Sequence, residues 1–193
     1  MSKSKIPEHK VVAHCISYLI ACGEEIIGLS VNKQHIPAVK RMIRNDLKTK
    51  YSGIIREKQL TKIIKGLEIN SKEGADIELL YYSKGPKRQH VRKIEAKGDG
   101  KYNVKSYSIY TLLGQLVTLR EKESEYWWFG AACPSHWKSK LHEYLTFEGK
   151  IKPIIKLIIE KFGSQSLKFY FVKEDGYVEN PITWKKFLTK YQQ

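Results

Sequence analysis

Negative charge is what this chain has least of. Asp and Glu number 20 against 35 Lys and Arg, giving a formal net charge of +15 at pH 7 and a pI near 9.6. A field of that sign draws polyanions, and nucleic acid is the commonest of them. The competing polyanion is a membrane surface, but no segment approaches the roughly 20 consecutive apolar residues of a membrane span. Met1 leads into a polar Ser-Lys-Ser-Lys tail rather than a secretory leader, so a cytoplasmic protein with no membrane partner is expected. Cysteine is scarce as well. Cys15, Cys22 and Cys133 are odd in number and form no C-x-x-C pair, which argues against a disulfide framework and a thiolate zinc site. All three are expected to be reduced and buried. Repeats, low-complexity tracts and flexible linkers are lacking, so residues 1–193 are read as one domain, long enough to bury an adequate core.

What is present is a folded composition, 41% hydrophobic and 11% aromatic, organised around the stretch from Gly74 to Gly98. It holds an Asp at the head of an apolar run (ADIELLYY), a basic turn, and a second run (VRKIEAK). Side chains in a strand alternate between faces at a rise of about 3.3 Å per residue, so Glu95 and Lys97 share a face about 7 Å apart. Ile94 and Ala96 then point the other way, into a core. If the two runs are antiparallel neighbours, Asp76 lies beside Glu95, and two carboxylates and one ammonium converge. A hard cation such as Mg2+ is held by one or two carboxylates plus waters, leaving room for phosphate oxygens. Asp76 and Glu95 are the expected metal ligands, with the Ala96 carbonyl a further one. Lys97 is the base or electrostatic stabiliser. Glu-x-Lys also occurs at Glu8-His9-Lys10 and Glu148-Gly149-Lys150. Only Glu95 combines an apolar strand behind it, an apolar-flanked Asp upstream and an amphipathic helix downstream.

With Asp76 opening one strand (GADIELL) and Glu95 and Lys97 closing the next (IEAKG), the chain resembles the PD-(D/E)xK nuclease superfamily of restriction endonuclease-like proteins. Ala75 stands where the family name has proline. The resemblance covers the N-terminal helix and residues from about Gly74 to Pro134. It implies an α/β fold: a restriction endonuclease-like core of helix, three-stranded meander, helix and further strand, its central mixed β-sheet flanked by helices. It also implies that an acidic residue of the first helix, here Glu8, joins the metal site. The alternative for Glu8 is that it only complements the helix dipole. Gln115, just off the buried stripe of a later helix, corresponds to a family Gln that faces the active site; its alternative is a partly exposed helix residue.

The periodicity predicts a helix over Glu8–Cys22, with Val11, Val12, Cys15, Leu19 and Cys22 on one face and Gly23 as its stop. Glu24–Val31 reads as the first strand. Residues 32–66 read as a basic helical insertion of two amphipathic helices, one marked by Ile36, Val39, Ile43 and Leu47, the other by Leu60, Ile63, Ile64 and Leu67. Its outward positions carry ten Lys or Arg, among them Lys40, Arg41, Arg44 and Lys48, against Asp46 and Glu57. That excess points to phosphate contact. The turn before Glu95 adds Lys84, Lys87, Arg88 and Arg92, well placed to hold a duplex backbone if the turn lies near the site. Downstream, a helix over Ser108–Lys122, a buried strand over 126–134, helices near Lys138–Leu145 and Ile151–Phe162, a strand and turn from Leu167, and a final short helix complete the expectation.

The function expected is a Mg2+-dependent DNA endonuclease, with Mn2+ able to substitute. A restriction-type enzyme cutting double-stranded DNA is the first choice, and a two-fold homodimer is then needed to cut both strands. A junction resolvase or repair nuclease with the same chemistry, and a DNA-binding protein without catalysis, are the alternatives.

Overall fold

The computed structural model describes residues 5–29, 31, 33–54, 58, 61–62, 65, 76–82, 89–100, 105–121, 128–146 and 167–190. The helix expected over Ile151–Phe162, the apolar positions Leu60, Ile63, Ile64 and Leu67, and the turn bearing Lys84, Lys87 and Arg88 lie outside these residues.

Six strands form one mixed sheet in chain order: β1 (Glu25–Leu29), β2 (Ile77–Tyr82), β3 (Gln89–Ala96), β4 (Trp128–Pro134), β5 (Leu167–Val172) and β6 (Ile182–Thr183). The first three run as an antiparallel meander, β3, β4 and β5 are mutually parallel, and β6 returns antiparallel. The parallel steps require crossovers, because parallel neighbours cannot be joined by a tight turn. Between β3 and β4 the described crossover element is α3 (Lys105–Glu121). Around the sheet lie α1 (Glu8–Ala21), α2 (Ile36–Thr49), α4 (Lys138–Thr146) and α5 (Trp184–Lys190). The architecture is therefore α/β, a mixed sheet flanked by helices. Among the described residues no helix is long and apolar enough to cross a membrane.

The pleat sorts the sheet into two cores. Ile77, Leu79, Ile94, Ala96, Ala132, Tyr170 and Val172 join α1 and α2 in one. Phe129, Ala131, Cys133, Leu167, Phe169 and Phe171 join α3, α4 and α5 in the other. This is the period-2 alternation of strands with both faces covered. On β4 there is no room for a side chain at Gly130: a Cβ there would lie 2.8 Å from Tyr170 Cε2 and 2.9 Å from Ile94 Cγ1.

Helix α1 is more enclosed than a one-faced amphipathic pattern predicts. Val11, Val12, Ala13, Cys15, Ile16, Ser17, Leu19 and Ile20 are all buried. The reason is α2, whose Val39, Ile43 and Leu47 belong to the same core as α1. The start of the expected insertion is thus a layer of the fold. Gly23, at φ +81°, follows the end of α1 in the left-handed region, where glycine carries no Cβ penalty. Cys15 and Cys133 are buried as expected, but Cys22 is exposed, because it sits at the C-cap of α1, beyond the packed turns.

Candidate active site

The site begins with strand register. Ile77 pairs with Ile94 across the antiparallel β2–β3 ladder, so Asp76, one residue earlier, falls opposite Glu95, one residue later. Asp76 Oδ2 accepts a hydrogen bond from the Ala96 N–H at 2.7 Å, which seats its carboxylate over the end of β3. The Lys97 N–H donates to the Ala132 carbonyl at 2.9 Å, so β4 fixes the same strand end from its other side. The three residues expected to converge are brought together.

Glu95 is only 4% exposed. Burial, then the charge of Asp76 and a hydrogen bond shared with it, push its carboxyl up to about 8, against the pull of Lys97. Burial raises the Asp76 carboxyl too, while the Ala96 N–H and Lys97 act in the opposite direction. Both carboxyls are raised and they share a hydrogen bond, so the pair retains a proton between them. Two acids enclosed side by side disfavour double ionisation, and a cation between them relieves that cost.

Glu8 reaches this point from α1. Its Oε2 accepts from Lys97 Nζ at 3.1 Å, with the Lys97 side chain 15% exposed and that of Glu8 49%. Glu8 thus engages the ammonium directly. Among the described residues no group of three or more His, Cys, Asp and Glu side chains is placed to hold a metal ion. The two carboxylates that face one another are Asp76 and Glu95, and Mg2+ ordinarily takes one or two carboxylates from a protein.

Three features of the site escaped the sequence. Gly98 has no room for a side chain, since a Cβ there would run into the Glu8 nitrogen and lie 2.6 Å from its Cα. Asp99 clamps the same junction: its N–H donates to the Ile6 carbonyl at 2.7 Å, and its Oδ2 accepts from the Ile6 N–H at 2.9 Å. Its Oδ1 accepts from Trp137 Nε1 at 2.9 Å and lies 3.1 Å from His136 Nε2. Gly98-Asp99-Gly100 looks like an ordinary loop in the sequence, and nothing local betrays these partners. The third feature is a cleft of about 440 Å³ bordered by Glu8, His9, Val12, His35 and Asp76. Its imidazoles, His9 and His35, stack with ring centroids 4.4 Å apart and planes 12° apart. Burial, then His35 and Lys10, lower the His9 pKa despite the neighbouring Glu8.

Gln115 is half-buried on α3, and its Oε1 is enclosed without a hydrogen-bond partner. Of the basic residues, Arg41, Arg44 and Lys48 are exposed on α2 and Lys40 is half-buried; Lys58, Lys62 and Lys65 are helical and exposed. Arg92 is a correction. Expected on an exposed turn, it is 5% exposed on the interior strand β3, with Nη1 2.9 Å from Glu24 Oε1. The chain matches no family model, no curated protein and no solved structure.

Proposed function

We propose that the protein is a divalent-metal-dependent deoxyribonuclease with a restriction endonuclease-like core. Hydrolysis of duplex DNA by a homodimer, in the manner of a type II restriction endonuclease, is the form this reading takes. The observation that carries it is the enforced contact of Asp76 and Glu95, two enclosed carboxyls facing one another where Lys97 leaves the sheet. Over residues 8–134 the order is helix, strand, helix, two strands, helix, strand. The first three strands pair as an antiparallel meander with α2 inserted after β1. Apart from that insertion the order supports the same reading.

The residues fit a Mg2+ or Mn2+ ion. Asp76 and Glu95 would hold it, with the Ala96 carbonyl as a further oxygen donor. When bound, such an ion supplies Lewis acidity at the phosphorus and lowers the pKa of water. The chain's own residues do the rest. Lys97, tethered by Glu8, offers positive charge to the phosphate as negative charge builds on its oxygens. The ion pair with Glu8 suits this stabilising role better than that of a base, because a Lys that accepts a proton must first lose its own. Glu8 aims the ammonium, and the exposed Arg41, Arg44 and Lys48 supply phosphate contacts outside the site.

The test is incubation of the purified protein with plasmid DNA in Mg2+ and in EDTA, alongside Lys97→Ala. Cleavage that requires the metal and disappears in the variant is expected. A Lys97→Ala protein cutting at the wild-type rate would sink the assignment. Cleavage confined to branched DNA would move the reading to a junction or repair nuclease.

A further inference from the structure

The cleft beside Asp76 offers more than the carboxylate pair uses. Its volume of about 440 Å³ falls within the roughly 300–1,000 Å³ typical of small-ligand sites. Its apolar lining is Pro7, Val12 and Val31. The rest is two imidazoles, His9 and His35, and two carboxylates, Glu8 and Asp76. The imidazole planes lie within 12° of parallel, with centroids 4.4 Å apart. Both rings are half-buried. Each spends one face on the other and still borders the cleft.

This lining discriminates between ligand classes. No Lys or Arg is among the described residues that border it, and its two carboxylates repel an anion, so it is no seat for a phosphate. Nor do the imidazoles share a metal. Nitrogens that ligate one ion aim their in-plane lone pairs at a single point, which rings stacked in parallel planes cannot do. An uncharged flat heterocycle does fit. It extends the His9–His35 stack, meets the apolar side chains, and sets no charge against Glu8 or Asp76. Those two carboxylates are already engaged, Glu8 by Lys97 and Asp76 by the Ala96 N–H.

We infer that this cleft is a nucleobase-stacking subsite, in which His9 and His35 receive the base of the nucleotide whose phosphate lies at Asp76, Glu95 and Lys97. The inference rests on the nuclease reading for the position of that phosphate. Glu8 and Asp76 join the two places, since both border the cleft. Glu8 Oε2 lies 3.1 Å from Lys97 Nζ, and Asp76 shares a hydrogen bond with Glu95. The base and phosphate of one nucleotide are separated by a single sugar, so a phosphate held at Lys97 leaves its base at the mouth of the cleft. Within a duplex both faces of a base are covered by its neighbours, and the base that enters must leave the stack. Stacking on a side-chain ring tolerates any sequence, because every base has a π-face. The subsite therefore selects an extruded or unpaired nucleotide at the cut, whichever base it carries.

The test follows the imidazole C–H signals of His9 and His35 by NMR in EDTA, assigned through His9→Gln and His35→Ala. Two probes are added separately: a single-stranded oligodeoxynucleotide, and an abasic strand of the same length and charge. A base stacked on an imidazole moves the ring protons upfield, and only the base-bearing strand is expected to do so. His35→Ala is expected to weaken binding of that strand about tenfold and to leave binding of the abasic strand unchanged. His35→Tyr, which keeps a ring, is expected to restore it. The His35 side chain makes no cap hydrogen bond to α2, so neither substitution removes a helix cap. Equal shifts from the abasic strand overturn the inference, and so do strands that bind without moving either signal or that fail to bind. Metal-dependent plasmid cleavage with unmoved imidazole signals keeps the nuclease reading and removes the subsite. Upfield shifts in a protein that never cleaves DNA leave the subsite standing and remove the nuclease reading instead.

Discussion

Gly98 lies against the backbone of Glu8 so closely that a Cβ would be 2.6 Å from the Glu8 Cα. The end of β3 and the first turn of α1 are thereby locked in one relative position, and the Lys97–Glu8 ion pair depends on it. Gly98→Ala must push the two apart. Overpacking of this kind costs about 1–3 kcal/mol. The variant is expected to melt at a lower temperature and to lose DNA cleavage more than tenfold, as thermal unfolding and a plasmid assay will read. A Gly98→Ala protein as stable as wild type would mean that α1 approaches β3 less closely.

Asp76 has two roles that substitution separates. It carries a charge facing Glu95, and it accepts the Ala96 N–H at 2.7 Å. Asp76→Asn keeps an acceptor oxygen and removes the charge, so it is expected to be catalytically dead yet no less stable than wild type in EDTA. Asp76→Ala leaves the Ala96 N–H without its acceptor and is expected to lose about 1–3 kcal/mol. Denaturant unfolding of the three proteins in EDTA decides it; equal destabilisation by both variants would make Asp76 purely structural.

Burial and the neighbouring Asp76 push the Glu95 carboxyl up to about 8 in the fold, against roughly 4.3 in an unfolded chain. Between those values the native state holds a proton that the unfolded chain has lost. Its stabilising contribution is full below the unfolded value and declines as pH rises towards 8. Metal-free protein is therefore expected to melt lower at pH 8 than at pH 5. Glu95→Gln should remove much of that difference. Added Mg2+ should stabilise wild type more at pH 8 than at pH 5, because a ligand carboxylate must first lose its proton. Calorimetry at the two pH values checks each statement, and a Glu95→Gln protein with the wild-type pH slope would contradict them.

Arg41, Arg44 and Lys48 are exposed on α2 at spacings of three and four residues, which puts them on one stripe. Changing all three to Glu is expected to weaken duplex binding at least tenfold and to flatten the dependence of log affinity on log salt. The same reversal at Lys185 and Lys186, exposed on α5, serves as the control and is expected to do much less. Fluorescence anisotropy across a salt series measures both, and equal losses would indicate a diffuse field without a defined face.

Local order was legible because periodicity is local. The sequence alone determined α1 and its glycine stop, the β2–β3 pair with Ile94 and Ala96 turned inward, and the buried stripe Ile109, Leu112, Leu113, Leu116 and Val117 on α3. It also placed Asp76 beside Glu95, since one register step between antiparallel neighbours brings them opposite. Tertiary structure decided what depends on which distant segments meet. Glu8 and Lys97, 89 residues apart, join because Gly98 and Asp99 admit the α1 terminus, and no helical or strand period encodes that. The basic residue Arg92 reads like its neighbours in the turn, yet the interior position of β3 buries it against Glu24. Helix α2 carries a basic outer face as its sequence requires, but its role as a cover for α1 follows only from where the chain folds back. Side-chain pattern fixes which face of an element is apolar; the partner for that face is chosen by the whole fold.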